Sequence, residues 1–422
     1  MENLWLPFSS EMYLSLTDRF NYTKGTYIQK SEALLMDISN RLKNLPKHFF
    51  SNLVRNVEQA IADGHDVINL GRGNPDQPTP RHIVKALQMA VEDPTTHGYA
   101  PFRGTLELKE AVSQFYKREY HVDIDPETEV AILFGSKPGV VELPLAVMNP
   151  GELLLLPDPG YPDYLSGVEL ANIHYATMAL LEENHYLPDY SQLTEQQKEQ
   201  ATLMYLNYPS NPTSATAPLS FFNETVQFAK ENKIGILHDF AYGGIGFDGD
   251  KPVSFLQAEG AKEVGIEVYT MSKTYNMAGW RIAFAIGNKK MIEAINLLQD
   301  HLFVNPFPAV QRAAAAALTG DQTCVRELIA LYEGRRNMLI SECQKIGWKV
   351  EAPKASFFAW LPVPEGFTSE SFTDLLLNKA GIAVAPGHAF GSSGEGYIRV
   401  GLLEDEERIK EAVQRIKKLH LF

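Results

Sequence analysis

A lysine just beyond the end of a strand can react with an aldehyde, and Lys273 stands in such a place. The segment YTMSKTYNMAGWRIAF (269–284) closes an apolar run at Met271, then gives a hydroxyl, the lysine and further hydroxyls. To form a Schiff base the amine must spend time unprotonated, far below its free pKa of about 10.4, which burial and neighbouring cations favour. Arg281 and the hydroxyls of Thr270 and Ser272 suit a dianionic phosphate nearby. HDFAYGGIGFDG (238–249) sets Asp239 at another strand end, where a carboxylate can keep a heteroaromatic nitrogen protonated, with Tyr242 as a donor to a ring oxygen. LNYPSNPTSA (206–215) holds Asn211 between a serine and a proline, a rigid backbone for an amide that fixes a ring substituent. LFGSKPGVVELPLAVM (133–148) opens through Gly135, Ser136 and Lys137 into a helix start, so N–H groups, a hydroxyl and an ammonium make an anion site.

Each segment alone has a plain structural reading: a solvated lysine, a helix cap, a polar turn, a Gly-Ser turn before a helix. Their shared position changes the balance. Apolar, β-branched runs occur at 129–134, 152–157, 173–178, 202–207, 234–239, 267–271 and 281–287, with helical patterns between most of them. Continuous apolar strands separated by helices predict a mostly parallel sheet buried on both faces. Ligands of such sheets bind beyond the carboxyl ends of the strands, which is where these residues fall. After about residue 320 the pattern becomes a long helix (321–346), short strands, a helix near 370–380 and a final helix (404–419). That order predicts a separate, smaller α+β domain over 321–422, beside a large domain at 86–320. Residues 36–85 are expected to pack with the small domain, through an amphipathic helix (42–64) stopped by Gly64. Residues 1–35 show no period and read as a flexible extension.

The chain has 422 residues, enough for more than one core, and a formal net charge of −14 from 38 basic and 52 acidic residues. Such a surface has no overall electrostatic reason to seek nucleic acid or anionic membranes. Cys324 and Cys343 form neither a disulfide framework nor a zinc motif, no metal site is expected, and a reducing compartment fits. There is no apolar run long enough for a membrane helix and no signal-peptide core at the N-terminus, so a cytoplasmic protein is expected.

Taken in order and spacing, INLGRGNPDQPTP (68–80), HGYAPFRGTLELKEAV (97–112), FGSKPG, PDPGYPDY (157–164), NYPSNPTSA, HDFAY, SKTYNMAGWR and YIRVGLL (397–403) resemble the class I/II aminotransferases. The resemblance runs from about residue 36 to the C-terminus. It implies the type I fold of pyridoxal-phosphate enzymes, an α/β architecture with a seven-stranded, mostly parallel sheet plus the smaller α+β domain. It further implies pyridoxal 5'-phosphate as cofactor, amino acids and 2-oxo acids as substrates, and a homodimer with shared active sites. By resemblance, Lys273 is the Schiff-base lysine and proton shuttle, Asp239 the carboxylate on the pyridine nitrogen, and Asn211 and Tyr242 the pair on the ring hydroxyl oxygen. Tyr161 stacks on the ring, and Ser136, Lys137, Thr270, Ser272 and Arg281 form the phosphate cup, Thr270 more by position than Ser272. Tyr99 is similar to the tyrosine that reaches the phosphate from the neighbouring subunit. Arg399 matches the arginine that grips the substrate α-carboxylate, with Asn211 and Gly73 beside it.

The chain departs from the family twice. Ser214 stands where the family has the glycine of NPTG, a position that can demand a backbone angle glycine takes more easily. Pro138 falls in what would be the first turn of a helix, where proline is tolerated but removes an N–H. Within the family, LPKHFF, YKREY, HDFAYGGIGFDG and FFAWLPVPEGF are similar to bacterial methionine-salvage aminotransferases. That implies amination of 2-oxo-4-methylthiobutyrate to methionine. Rivals stay open on sequence alone: a broad aminotransferase for aromatic or branched amino acids, a lyase using the same cofactor, or a non-catalytic sensor on this fold.

Overall fold

The computed structural model describes residues 37–46 and 49–422. Two compact units divide the chain, Met1–Lys43 and Asn44–Phe422. Of the first, the described part holds a one-turn helix, Asn40–Lys43. The expected extension over 1–35 lies outside the described residues. The helix predicted from residue 42 is interrupted, and its long part runs Phe49–Ala62. Pro46 supplies the reason, since proline lacks an N–H and disfavours helical geometry in the residue before it.

The second unit is built on three sheets. Its strands are β1 (Ile68–Asn69), β2 (Val130–Leu133), β3 (Leu153–Asp158), β4 (His174–Ala179), β5 (Ala201–Leu206) and β6 (Gly235–Asp239). The rest are β7 (Gly265–Thr270), β8 (Ala283–Gly287), β9 (Phe358–Pro362), β10 (Ile382–Ala383), β11 (Ala385–Pro386) and β12 (Tyr397–Gly401). A seven-stranded sheet takes the order β2-β8-β7-β6-β5-β3-β4. Only β8 runs against its neighbours, pairing antiparallel with β2 and β7, while the other pairings are parallel. All seven predicted runs are strands of this one sheet.

Burial explains their composition. β2, β7 and β8 are buried along their whole length, as strands covered on both faces must be. β4 closes one edge and is largely exposed, which is why its run carries His174 and Tyr175 among the apolar residues. One apolar cluster, including Tyr116, Phe222, Phe240 and Phe284, packs one face, and another, including Leu143, Leu154, Tyr164 and Ile295, packs the other.

The C-terminal region is organised by β11-β12-β9, an antiparallel sheet, with its own core around Tyr332, Trp348, Phe372 and Val413. β1 pairs in parallel with β10, Ile68 opposite Ile382, so the segment near residue 68 joins this region. The predicted long helix spans Thr323–Lys345 and the final one Glu406–Lys417. Both cysteines sit in the first of these, and burial pushes the Cys343 thiol up to about 12, so it is an inert packed group. Among the described residues, no helix is long and apolar enough to cross a membrane.

Candidate active site

The parallel strands end side by side, and the loops and helix starts that leave those ends line one cavity of about 610 Å³. β2 leads to Ser136 and Lys137, β3 to Tyr161, β5 to Asn207 and Asn211, β6 to Tyr242, and β7 to Ser272 and Lys273. Because β8 runs the other way, the residues that precede its start arrive at the same edge of the sheet. Arg281 stands two positions before Ala283, and the antiparallel strand is what brings it to the others. Gly73 and Arg399 come from the C-terminal region's side of the cavity.

Lys273 lies on a one-turn helix, Met271–Thr274, capped by the Thr270 hydroxyl, which accepts from Ser272 N–H at 3.2 Å. Its Nζ donates to Gly73 O at 3.0 Å. Burial first, then the charges of Arg399 and Arg281, lower its pKa to about 8, against the opposing pull of Asp239. A free amine is therefore accessible near neutrality, as covalent chemistry with an aldehyde requires.

Asp239 is buried at the end of β6, and its Oδ2 accepts from Tyr164 Oη at 2.8 Å. Its other oxygen, Oδ1, is buried with no hydrogen-bond partner among the described residues. Leaving such an acceptor unpaired costs about 1–3 kcal/mol, so the position suits a ligand that brings a donor. Burial raises the Asp239 pKa, and Tyr164, His238, the backbone N–H of Ala241 and Lys273 oppose the shift. The Asp239 carbonyl accepts from Asn207 Nδ2 at 2.7 Å, while Asn207 Oδ1 accepts from Asn211 N–H at 2.7 Å. Asn207 thus binds the strand end of Asp239 to the loop of Asn211.

Arg399, on β12, is buried, and burial lowers its pKa to about 10. Nη1 donates to Asn211 Oδ1 at 2.8 Å and Nη2 to Gly71 O at 3.3 Å. The guanidinium carbon lies 4.1 Å from the Phe358 ring centroid. A Cβ on Gly73 would stand 3.7 Å from both Arg399 Nη2 and Phe358 Cζ, an ordinary contact, so the glycine leaves open the approach to the guanidinium.

The other end of the cavity is more open. Ser136 begins the helix Ser136–Val147 after Gly135, which has φ of 87°. A Cβ on Gly135 would meet Arg281 Nη2 at 2.4 Å, so a larger residue here would displace the guanidinium from its present place. Arg281 Nη1 donates to Ala278 O at 3.0 Å, and Lys137 pairs with Asp163 at 2.8 Å. Pro138 occupies the first turn of the helix. Thr270 Oγ1 donates to Ser272 Oγ at 2.9 Å.

The cavity brings together Gly73, Ser136, Lys137, Tyr161, Asn211, Asp239, Tyr242, Ser272, Lys273, Arg281 and Arg399. Thr270 sits behind Ser272 as its hydrogen-bond partner. Tyr99 is outside the cavity lining, with 91% of its surface exposed. Sequence reasoning missed Tyr164, although it lies in the same PDPGYPDY segment as Tyr161, and missed Asn207, although it directly succeeds a strand. The strand-end rule that found Asp239 would have found Asn207 too.

A carboxylate oxygen awaiting a donor, a lysine of lowered pKa and an anion-binding helix start with an arginine together fit a phosphorylated pyridine aldehyde. Comparison with known proteins gives the class. The family model "Aminotransferase class I and II" matches residues 65–416. The chain belongs to this family; it is an aminotransferase of the type I fold, and its cofactor is pyridoxal phosphate. Among individual relatives, it is 63% identical to the L-glutamine--4-(methylsulfanyl)-2-oxobutanoate aminotransferase of Bacillus subtilis, over 91% of this chain and 96% of that one. It is 49% identical to Transaminase BacF of the same organism, again over 91% and 96%. The substrate-bound BacF structure superposes with a TM-score of 0.87, covering 91% of this chain and 98% of that chain at 48% identity.

Proposed function

We propose that this aminotransferase makes methionine from 2-oxo-4-methylthiobutyrate, that is 4-(methylsulfanyl)-2-oxobutanoate, with glutamine as amino donor. The observation that carries the reading is the 63% identity to the Bacillus subtilis enzyme of that activity across nearly its whole length. The cavity is chemically suited to a thioether, because Leu53 and Val54 of the helix Phe49–Ala62 add aliphatic surface to its lining. Such a surface separates side chains differing by a methylene by only about 1–3 kcal/mol, so related amino acids are expected as slower substrates.

In this reading Arg399 and Asn211 hold the substrate α-carboxylate, with the Gly73 backbone beside them, and lysine could not replace the planar fork. Lys273 takes the proton from the substrate Cα, which its lowered pKa permits, and would deliver it to the cofactor's C4′. Pyridoxal phosphate, when bound, supplies an electron sink next to that carbon. Asp239 would hold the pyridine nitrogen through its unpartnered Oδ1, and Tyr164 and Asn207 would keep that carboxylate in place. Asn211 and Tyr242 would hold the ring hydroxyl oxygen, Tyr161 the ring face, and Ser136, Lys137, Thr270, Ser272 and Arg281 the phosphate.

The same reading includes a homodimer in which Tyr99 serves the partner's site. Its support is that Tyr99 and Phe102, close in sequence, are 91% and 66% exposed. It also includes a large domain at 86–320 and a small one at 321–422, with the segment before residue 86 joined to the latter, and a cytoplasmic location. The pairing of β1 with β10 supports the joining.

The test is the visible spectrum of the purified holoenzyme before and after methionine. Bleaching of the yellow form, with stoichiometric release of the 2-oxo acid, is the expected result. A yellow protein indifferent to methionine, yet bleached by aromatic or branched amino acids, would overturn the substrate.

A further inference from the structure

Ser214, the residue standing where the family has glycine, is fully buried and has φ of 60°. Ser356 has φ of 63° and is buried against it. Residues with a Cβ hold this left-handed conformation only where their surroundings over-determine it. Here the surroundings are a closed ring of hydrogen bonds whose direction can be worked out. Ser214 Oγ lies 2.8 Å from Phe358 O, a carbonyl that can only accept, so the Ser214 proton goes there. Ser214 Oγ also lies 2.8 Å from Ser356 Oγ, and with its own proton used it must accept from Ser356. Ser356 Oγ in turn accepts from Phe358 N–H at 3.2 Å. The ring begins at the N–H of Phe358 and returns to its carbonyl.

This ring closes on a free strand edge. β9 is the outer strand of its sheet, and Leu402 N–H donates to Phe357 O at 2.8 Å. In the antiparallel ladder the next pair, Phe358 opposite Gly401, therefore turns its backbone groups away from β12. The serine hydroxyls satisfy both groups and attach β9 to the Asn211 loop.

The attachment matters because of what the two sides carry. Asn211, three residues before Ser214, accepts from Arg399 Nη1 at 2.8 Å. The ring of Phe358 lies 4.1 Å from the same guanidinium. Ser214 therefore links the residue holding the end of Arg399 to the residue against its flat face.

We propose that Ser214, with Ser356 as its relay, is a positioning residue for the substrate-carboxylate site: its hydroxyl fixes Asn211 and Phe358 about Arg399. The inference rests on the assignment of Arg399 to the substrate carboxylate. It is tested on the holoenzyme by calorimetric titration with 4-(methylsulfanyl)butanoate, methionine without its amino group, alongside KM and kcat for methionine and thermal midpoints. Ser214→Ala and Ser214→Gly are both expected to weaken the probe about ten-fold, the worth of one buried hydrogen bond, and to raise KM with little change in kcat. Their stabilities are expected to differ, because glycine relieves the left-handed strain and alanine keeps it. Ser356→Ala, which opens the ring elsewhere, is expected to weaken the probe to a similar degree. Wild-type affinity in Ser214→Gly, or affinities that merely track the thermal midpoints, would overturn the inference. Arg399→Ala separates the two levels. If it loses the probe while the serine variants do not, the positioning role alone fails. If it binds the probe as wild type does, or wild type binds none, the carboxylate assignment fails and the inference with it.

Discussion

Lys273 and Lys137 line the same cavity, yet the first turns its Nζ to Gly73 O at 3.0 Å, whereas the second is 45% exposed and paired with Asp163 at 2.8 Å. Around Lys273 the neighbours are buried: Asn211, Asp239 and Arg399 are 8%, 6% and 2% exposed. Around Lys137 burial is lighter: Ser136 and Asp163 are half-buried, and Arg281 is open to solvent. At the buried end, desolvation sets the chemistry, bringing Lys273 to about 8 and Arg399 to about 10. At the open end, charge is simply gathered, Lys137 against Asp163 with Arg281 nearby on the same cavity. One end is desolvated and shifts the groups it holds, and the other stays in contact with water.

The sharpest way to break this contrast is to remove the buried lysine. Lys273→Ala is expected to keep the fold and cofactor-site residues while lowering transamination by at least about 10⁴-fold. Turnover and the visible spectrum of the variant measure it, with far-ultraviolet circular dichroism as the check on folding. Turnover within ten-fold of wild type would sink the assignment.

The next effect is one of pH. For cofactor-free enzyme, the rate of pyridoxal phosphate uptake is expected to rise about ten-fold per pH unit while Lys273 is mostly protonated, then level off above about 8. The same shift has a stability signature of definite sign. Between about 8 and the ordinary lysine value of 10.5, the unfolded chain binds a proton that the folded chain has shed. Stability of the cofactor-free protein therefore gains with rising pH across that window, and the gain disappears in Lys273→Ala. Urea midpoints at two pH values measure it. Uptake that keeps climbing past pH 9 would show that the amine is an ordinary one.

How far the sequence carried these assignments varies by region. The strands of the seven-stranded sheet were legible because burial on both faces leaves continuous apolar runs, and even the edge strand β4 betrayed itself by its polar residues. The strand-end rule then placed Lys273, Asp239 and Asn211 on one cavity. The expected helix over 42–64 failed at Pro46, a local signal outvoted by periodicity. Tyr164 was overlooked because its neighbour Tyr161 satisfied the resemblance, although it is the tyrosine at 164 that donates to Asp239. The link from Ser214 to Ser356 and Phe358 could not be read at all. It joins residues 142 and 144 positions apart, and nothing local in either segment announces the other. What the sequence did offer was the departure itself, a serine where glycine was expected, with φ of 60° as its consequence.

The smallest effect is expected at the rim, and it tests the other half of the contrast. Lys137→Met removes an ion pair whose lysine is half exposed, and pairs screened by solvent contribute only about 0–1 kcal/mol, so the thermal midpoint should move little. Cofactor affinity, measured by titrating cofactor-free enzyme, is expected to fall about three- to ten-fold, because Arg281 and the hydroxyls of Ser136, Thr270 and Ser272 remain to meet the phosphate. kcat at saturating cofactor should stay near wild type, since Lys137 moves no proton. A loss of kcat approaching that of Lys273→Ala would mean that the solvated end of the cavity also takes part in the chemistry, and the division between a tuned floor and a gathering rim would have to be abandoned.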